Sequence, residues 1–382
     1  MILMHQNKEI AVLETNSNNK PIGYAAILDK TDIPIGTIGK NKQQEYILFD
    51  KWYQSRCLPN GRLKSDEFLN KLGYTNDETF LLSLGLSLTD TYWIKTDSNS
   101  LKWENINYHD NGFESVLGKY ILYHNIDFQK SPDFTTDGIM EKFWYSVNGV
   151  PYLAKFDNQY QKLLVANEII YSKICDLYNI NHVSYIDGKC SYGQYCSCPC
   201  FIENSNSDFI TALQIKHQNF QYSGINLLYH LNKDLGFTKE LRTMISLDCL
   251  LHNTDRHEKN FGIIKNLMTN QLAFAPLYDN GFCLGADKKD DIKIITDSDM
   301  KIYNGKRRDF INIFGPINLD FQSDFIKEII KEEYEKFKIP EIRFQIAISE
   351  LEYGLNLFCK ENNYFIQNTN SNQIDYDVAD LF

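Results

Sequence analysis

The chain has 382 residues, more than one hydrophobic core usually supports, so two or three structural units are expected. Its composition, 43% hydrophobic and 14% aromatic, excludes general disorder, and its net charge of −11 argues against autonomous nucleic-acid binding, which needs a basic surface. No apolar run approaches the roughly 18 residues of a membrane span, the N-terminus lacks a basic leader, and nine scattered cysteines fit a reducing compartment, so a cytoplasmic protein is expected.

In chain order, residues 1 to about 45 read as short strands (EIAVLE, GYAAIL) between Asn- and Gly-rich turns. From Glu45 to about Gly85 the pattern turns helical, each run ending near a glycine. The following segment, SLTDTYWIK through NGF, is mixed and aromatic. Residues 1–130 are thus expected to form an N-terminal α/β accessory region. A new unit begins near Ser131-Pro132, where Phe134 to Phe156 reads as a β-hairpin turning at Asn148-Gly149. Gln161 to Tyr178 reads as a helix, with Leu163, Ala166, Ile170, Ile174 and Leu177 recurring at intervals of three and four. Strand-like VSYI and CPCFI follow, and beyond Asn206 the chain is mainly helical apart from the segment 246–285. Cys190, Cys196, Cys198 and Cys200 lack the paired CxxC spacing of a structural zinc site, and their alternation fits one face of a buried strand. The expected class is α+β, with a β-rich lobe over 131–205 and a mainly helical lobe over 206–382.

The segment from Ser246 to Gly285 carries the chemistry. An apolar helix-like run ends in a polar loop with Asp255 and, five residues later, Asn260; a strand-like stretch from Leu272 to Leu277 precedes Asp279. This is the spacing protein kinases use, one Asp orienting the attacking hydroxyl while the Asn and the second Asp hold magnesium on the ATP phosphates. Upstream, Lys155 at the end of the second hairpin strand is placed to reach the α- and β-phosphates, and Glu168 on the next helix to steady it. Taken singly, a surface Lys, a solvated Glu and turn-forming Asp and Asn residues are the blander readings. Thr135, Thr136 and Gly138 stand where a loop covering the phosphates belongs, although a single glycine makes no G-x-G-x-x-G. His252 and His257 flank the catalytic loop on different sides of a helix and suit orienting or packing roles better than a metal pair. Magnesium suits the oxygen donors of Asn260 and Asp279 better than zinc.

The motif N-T-D-R-H-x-x-N from Asn253 to Asn260, followed by A-P-L-Y-D-N from Ala275 to Asn280, resembles the HipA-type serine/threonine kinases of bacterial toxin–antitoxin systems. The resemblance extends upstream through TTDGIMEKFW and YLAKF, covers residues 131 to about 320, and points to a shorter or atypical member. It implies a protein kinase-like bilobal fold with ATP between the lobes. Asp255 would then be the base, Asn260 and Asp279 the magnesium ligands, Lys155 a phosphate contact with Glu168 its partner, and Phe201, Ile202 and Glu203 the adenine-facing hinge. Arg256 would alter local charge without touching the magnesium set. The family also self-phosphorylates a serine in the phosphate-covering loop; here Thr135, Thr136 or Ser131 would have to serve. It further implies a protein substrate with a Ser or Thr acceptor, growth inhibition as a toxin, and a small DNA-binding antitoxin partner. The same machinery would serve a kinase acting on a small molecule or lipid, and a pseudokinase binding module is the non-catalytic alternative; retention of Lys155, Asp255, Asn260 and Asp279 speaks against the latter.

Overall fold

The computed structural model describes residues 1–59, 65–96, 100–123, 130–136, 138, 140–157, 160, 162–218, 227–228, 230–289, 299–300, 305–307, 309 and 321–369. Three antiparallel sheets carry the fold. The N-terminal sheet comprises β1 (Ile2–His5), β2 (Lys8–Thr15), β3 (Pro21–Ile27) and β4 (Tyr92–Lys95) in the order β3-β2-β1-β4. Between β3 and β4 run helices α1 (Lys42–Gln54), α2 (Ser65–Leu72) and α3 (Asn76–Leu82). Asn41 starts α1 by accepting from the Gln44 amide, and a reciprocal Thr75–Glu78 capping box starts α3. Phe49, Trp52 and Tyr53 of α1 pack on Leu3, Ile10, Leu13 and Tyr24 of this sheet.

Helices α4 (Tyr108–Asn111) and α5 (Val116–Tyr123) lead into the central sheet, formed by β5 (Glu141–Val147), β6 (Val150–Phe156), β7 (Ile186–Lys189) and β8 (Gln194–Pro199) in the order β5-β6-β8-β7. The β5–β6 hairpin turns at Asn148-Gly149, both with positive φ as a type I′ turn demands. Its first strand starts at Glu141 rather than Phe134. Pro132–Thr135 instead makes a 3-10 turn, because Pro132 pre-sets a helical φ and Ser131 caps it by accepting from the Asp133 amide. Helix α6 (Leu163–Leu177) is buried along most of its length, wedged behind the central sheet. Of VSYI only Ile186 enters a strand, and the CPCFI strand ends at Pro199. Cys196 and Cys198 are buried on one face of β8, with Cys200 buried just beyond it, and burial pushes the Cys198 thiol up to about 12.

The third sheet, β9 (Ser207–Thr211), β10 (Gly262–Asn266) and β11 (Leu272–Phe274), has the order β11-β10-β9; its last strand stops three residues before Leu277. Helices α7 (Ala212–Gln218), α8 (Thr238–Leu251), α9 (Ser323–Phe337) and α10 (Glu341–Thr369) complete the C-terminal half. Residues of α6, α8, α9 and α10 share one large apolar core.

Two further clusters cross residue 130, where the sequence suggested a boundary. Val116, Leu117 and Tyr120 of α5 pack on Phe143 and Phe156 of the central sheet. Trp93 and Trp103 share a cluster with Trp144, Cys200 and Ile202, and Phe209 of the third sheet packs against it. The N-terminal part therefore leans on both the central and the third sheet. Among the described residues, no helix is long and apolar enough to cross a membrane.

Candidate active site

Lys155 is the penultimate residue of β6, with its side chain turned inward and only 2% of the residue exposed. Its Nζ donates to Glu168 Oε1 at 2.6 Å, to Asp279 Oδ1 at 2.7 Å and to the Tyr185 hydroxyl at 3.0 Å. Burial alone would pull its pKa down, but Asp279 and Glu168 together hold it well above the ordinary lysine value, so the ammonium stays charged. One strand thus meets a helix of its own unit and a turn 124 residues downstream at a single cation.

The turn after β11 is held by two neighbouring side chains of α6. Glu168 Oε2 accepts from the Asn280 amide at 2.8 Å, while Asn167 Nδ2 donates to the Gly281 and Cys283 carbonyls at 3.0 and 2.8 Å. Tyr334 of α9 donates to Asn167 Oδ1 at 2.8 Å and fixes that amide. These bonds keep Asp279 at φ +56, a left-handed conformation that a short polar side chain tolerates and that turns its carboxylate back toward Lys155. Crowding would raise the Asp279 carboxyl, but Lys155 and then Lys142 hold it well below the usual carboxylate range.

The catalytic-loop candidates follow the end of α8, where His252 adopts φ +53 and stops the helix. Asp255 is half-buried, its amide bonded to Asn253 Oδ1 at 3.2 Å. Asn260 Nδ2 donates to the Asp255 carbonyl at 3.3 Å, which leaves Oδ1 as the oxygen able to face a cation. Between them lies Arg256, fully buried. Its guanidinium donates to both carboxylate oxygens of Asp248 on α8 (2.8 and 3.0 Å), to the Asn260 carbonyl (2.8 Å), to the Tyr278 carbonyl (3.0 Å) and to Asn280 Oδ1. Arg256 therefore ties the backbone of Asn260 to the turn bearing Asp279. The sequence reading confined Arg256 to local charge; the structure makes it the brace between the two candidate metal-binding segments.

Lys155, Asp255, Asn260 and Asp279 line one cleft of about 1080 Å3, together with Thr135, Thr136, Gly138, Glu168 and Phe201. Both threonine hydroxyls are donated back to the 3-10 turn, Thr135 to the Pro132 carbonyl (3.0 Å) and Thr136 to the Asp133 carbonyl (2.8 Å). Asp137, between them and Gly138, lies outside the described residues. Ser131 is fully buried as the cap of that turn, which leaves its hydroxyl facing protein rather than solvent. Phe201 stacks on Tyr278 with ring centroids 5.2 Å apart and faces the cleft; Ile202 is buried in the tryptophan cluster, and Glu203 is exposed away from the lining. His257 also lines the cleft, whereas His252 is buried 2.9 Å from Glu350 of α10, so the two histidines do not meet.

Three residues escaped the sequence reading. Lys142 pairs across strands with Lys155, is 6% exposed, and lines the cleft; a Cβ added to Gly138 would stand 2.8 Å from its Nζ. The E-K pair opening β5 was the available signal, since an inward Lys at a strand start is rare without a role. Asn167 and Asp248 had no local signal: a polar residue on a helix becomes informative only when its burial is known.

Residues 199–339 match the HipA-like C-terminal domain. The matched stretch is similar to the HipA-like domain family. It begins at the hinge candidates and includes Asp255, Arg256, Asn260 and Asp279, but not Lys155 or Glu168. Among solved structures, the chain is similar to HipA of Shewanella oneidensis MR-1, determined with HipB and operator DNA, at 13% identity over 95% of this chain and 97% of that one, with a TM-score of 0.55. It is also similar to the Helicobacter pylori proinflammatory kinase CtkA, at 15% identity over 62% of this chain and 94% of that one, with a TM-score of 0.49. No curated protein sequence matches the chain. The α+β kinase-like fold expected for a HipA-like domain is the fold found here.

Proposed function

We propose that the protein is an ATP- and magnesium-dependent kinase that phosphorylates a Ser or Thr of a cellular protein. The single observation that carries this reading is Lys155 bonded at once to Glu168 and Asp279, inside a cleft also lined by Asp255 and Asn260. In this reading residues 131–205 and 206–382 are the two lobes, with 1–130 as the accessory region.

The donor set fits a hard cation: the Asn260 amide oxygen and the Asp279 carboxylate are oxygens, and the carboxylate stays ionised beside two lysines. Magnesium, when bound there, supplies charge neutralisation to the phosphate oxygens. Lys155 holds the phosphates from one side and Lys142, across the strand pair, from the other. Asp255 accepts the proton of the acceptor hydroxyl as its oxygen bonds to the γ-phosphorus; the bond from that phosphorus to the β–γ bridging oxygen breaks, and its electron pair leaves with ADP. Glu168 keeps Lys155 oriented, and Arg256 keeps the spacing of Asn260 and Asp279. Phe201 and Tyr278 offer the aromatic wall for adenine.

Labelled ATP tests this directly. Wild-type protein should transfer label to protein bands in a lysate, and Asp255→Ala should cut transfer about 10²- to 10⁴-fold while retaining the fold; unchanged transfer would remove Asp255 from the mechanism. Label confined to small molecules would move the acceptor to that class. An acidic chain of this kind suits a basic, DNA-binding antitoxin as its operon partner, a toxin–antitoxin arrangement like the one in which the Shewanella HipA was solved. Co-purification from native expression tests that pairing.

A further inference from the structure

The cleft of about 1080 Å3 lies at or above the upper end of small-molecule pockets, roughly 300–1,000 Å3, and it does not end at the phosphate side. Beyond Asp255 it runs on between α1 of the N-terminal part and α7. Helix α7 is fastened to the catalytic loop: the Ala212 amide donates to the Phe261 carbonyl at 3.0 Å and the Leu213 amide to the Glu258 carbonyl at 2.8 Å. The loop before α1 is pressed onto α7 from the other side. Gly36, at φ +80, lies so close that an added Cβ would overlap the Gln214 carbonyl oxygen and stand 2.9 Å from His217 Cβ. Lys51, Gln54 and Ser55 of α1 and its end therefore face Gln214, His217 and Glu258 across the opening.

The charges on these walls are unevenly satisfied. Lys216 is paired with Glu258 at 2.7 Å, and Asp50 turns toward Lys20 at 3.7 Å. Lys51 is exposed, and among the described residues no carboxylate pairs with it. Burial, then Lys51 and Lys216, lowers the pKa of His217, so the positive charge of Lys51 is felt across the gap.

We propose that this extension is the acceptor channel: α1 and α7 hold a polypeptide segment carrying the accepting Ser or Thr, and Lys51 pairs with an acidic residue of that segment, so that the hydroxyl faces Asp255. The inference deepens the kinase reading and rests on it, and it gives residues 1–130 the task of reading the substrate.

Full-length wild type, Lys51→Glu and Gln54→Trp are compared in two measurements. The first is affinity for a fluorescent ATP analogue with magnesium; the second is transfer of labelled γ-phosphate to protein bands of one lysate. The expected result is nucleotide affinity within twofold of wild type in both variants, with label in the wild-type bands reduced at least tenfold. Equal labelling by Lys51→Glu and wild type overturns the channel while leaving the kinase reading intact. Nucleotide binding with no protein labelled by the wild type overturns the polypeptide acceptor. Absence of nucleotide binding in the wild type overturns the kinase reading, and the channel with it.

Discussion

Lys155 is stable in a buried position only while its carboxylates remain. Removing one member of a buried, hydrogen-bonded pair strands the other charge, at a cost of about 3–5 kcal/mol. Lys155→Ala is therefore expected to destabilise the fold by that amount, since Glu168 is fully buried, whereas Lys155→Ala combined with Glu168→Gln should recover part of the loss. Urea denaturation of the single and double variants measures both; equal midpoints would mean that Glu168 finds another partner. The strain at Asp279 belongs to the same scale. A left-handed Asp costs little by itself, yet it is retained because Glu168 and Asn167 bond the backbone that follows it.

At the scale of elements, the segment expected to cover the phosphates is anchored by one carboxylate. Asp133 is fully buried and accepts from the Trp144 amide of β5 at 2.7 Å, the Leu117 amide of α5 at 2.9 Å, and the hydroxyls of Ser115 and Ser131 at 2.9 and 3.0 Å. It thus caps α5 and clamps the 3-10 turn to the hairpin in one step. Asp133→Ala leaves two buried amides without acceptors, each worth about 1–3 kcal/mol. Calorimetry should show a lowered Tm, and ATP-analogue affinity should weaken because the turn preceding Gly138 loses its anchor. A variant with wild-type Tm would show that water replaces the carboxylate.

For the whole molecule, two histidines have depressed pKa values: His109 within the N-terminal part, and His217 where α7 meets the loop before α1. Burial lowers His109, whose ring bonds the Leu88 carbonyl, and burial followed by Lys51 and Lys216 lowers His217. A histidine with a depressed folded pKa binds fewer protons folded than unfolded. Its contribution is therefore intact above the unfolded value of about 6.5 and is lost as pH falls below it, less so for the half-exposed His217, where solvent screens the effect. Stability measured by denaturant titration should decline from pH 7 toward pH 5, and His217→Gln should flatten part of that slope; an unchanged slope would place the acid sensitivity elsewhere. The N-terminal part also grips the chain around the start of β9: Trp103 Nε1 donates to the Ser205 carbonyl at 3.0 Å, and Asp208 accepts from the Thr91 amide at 2.8 Å and lies 2.9 Å from His5 Nε2.

Local chemistry made much of this legible beforehand. The Asn148-Gly149 turn, the periodicity of α6 and the spacing of Asp255, Asn260 and Asp279 are short-range signals, because backbone dihedrals and loop chemistry are set by neighbours in sequence. The roles of Arg256 and Asn167 were hidden, since each depends on partners that arrive from distant segments. The contacts across residue 130 were hidden in the same way: Phe143 and Trp144 find their apolar neighbours in residues 93–121. Sequence alone determined which side chains could do chemistry; only packing decided which of them meet, because burial and long-range hydrogen bonds are properties of the folded chain.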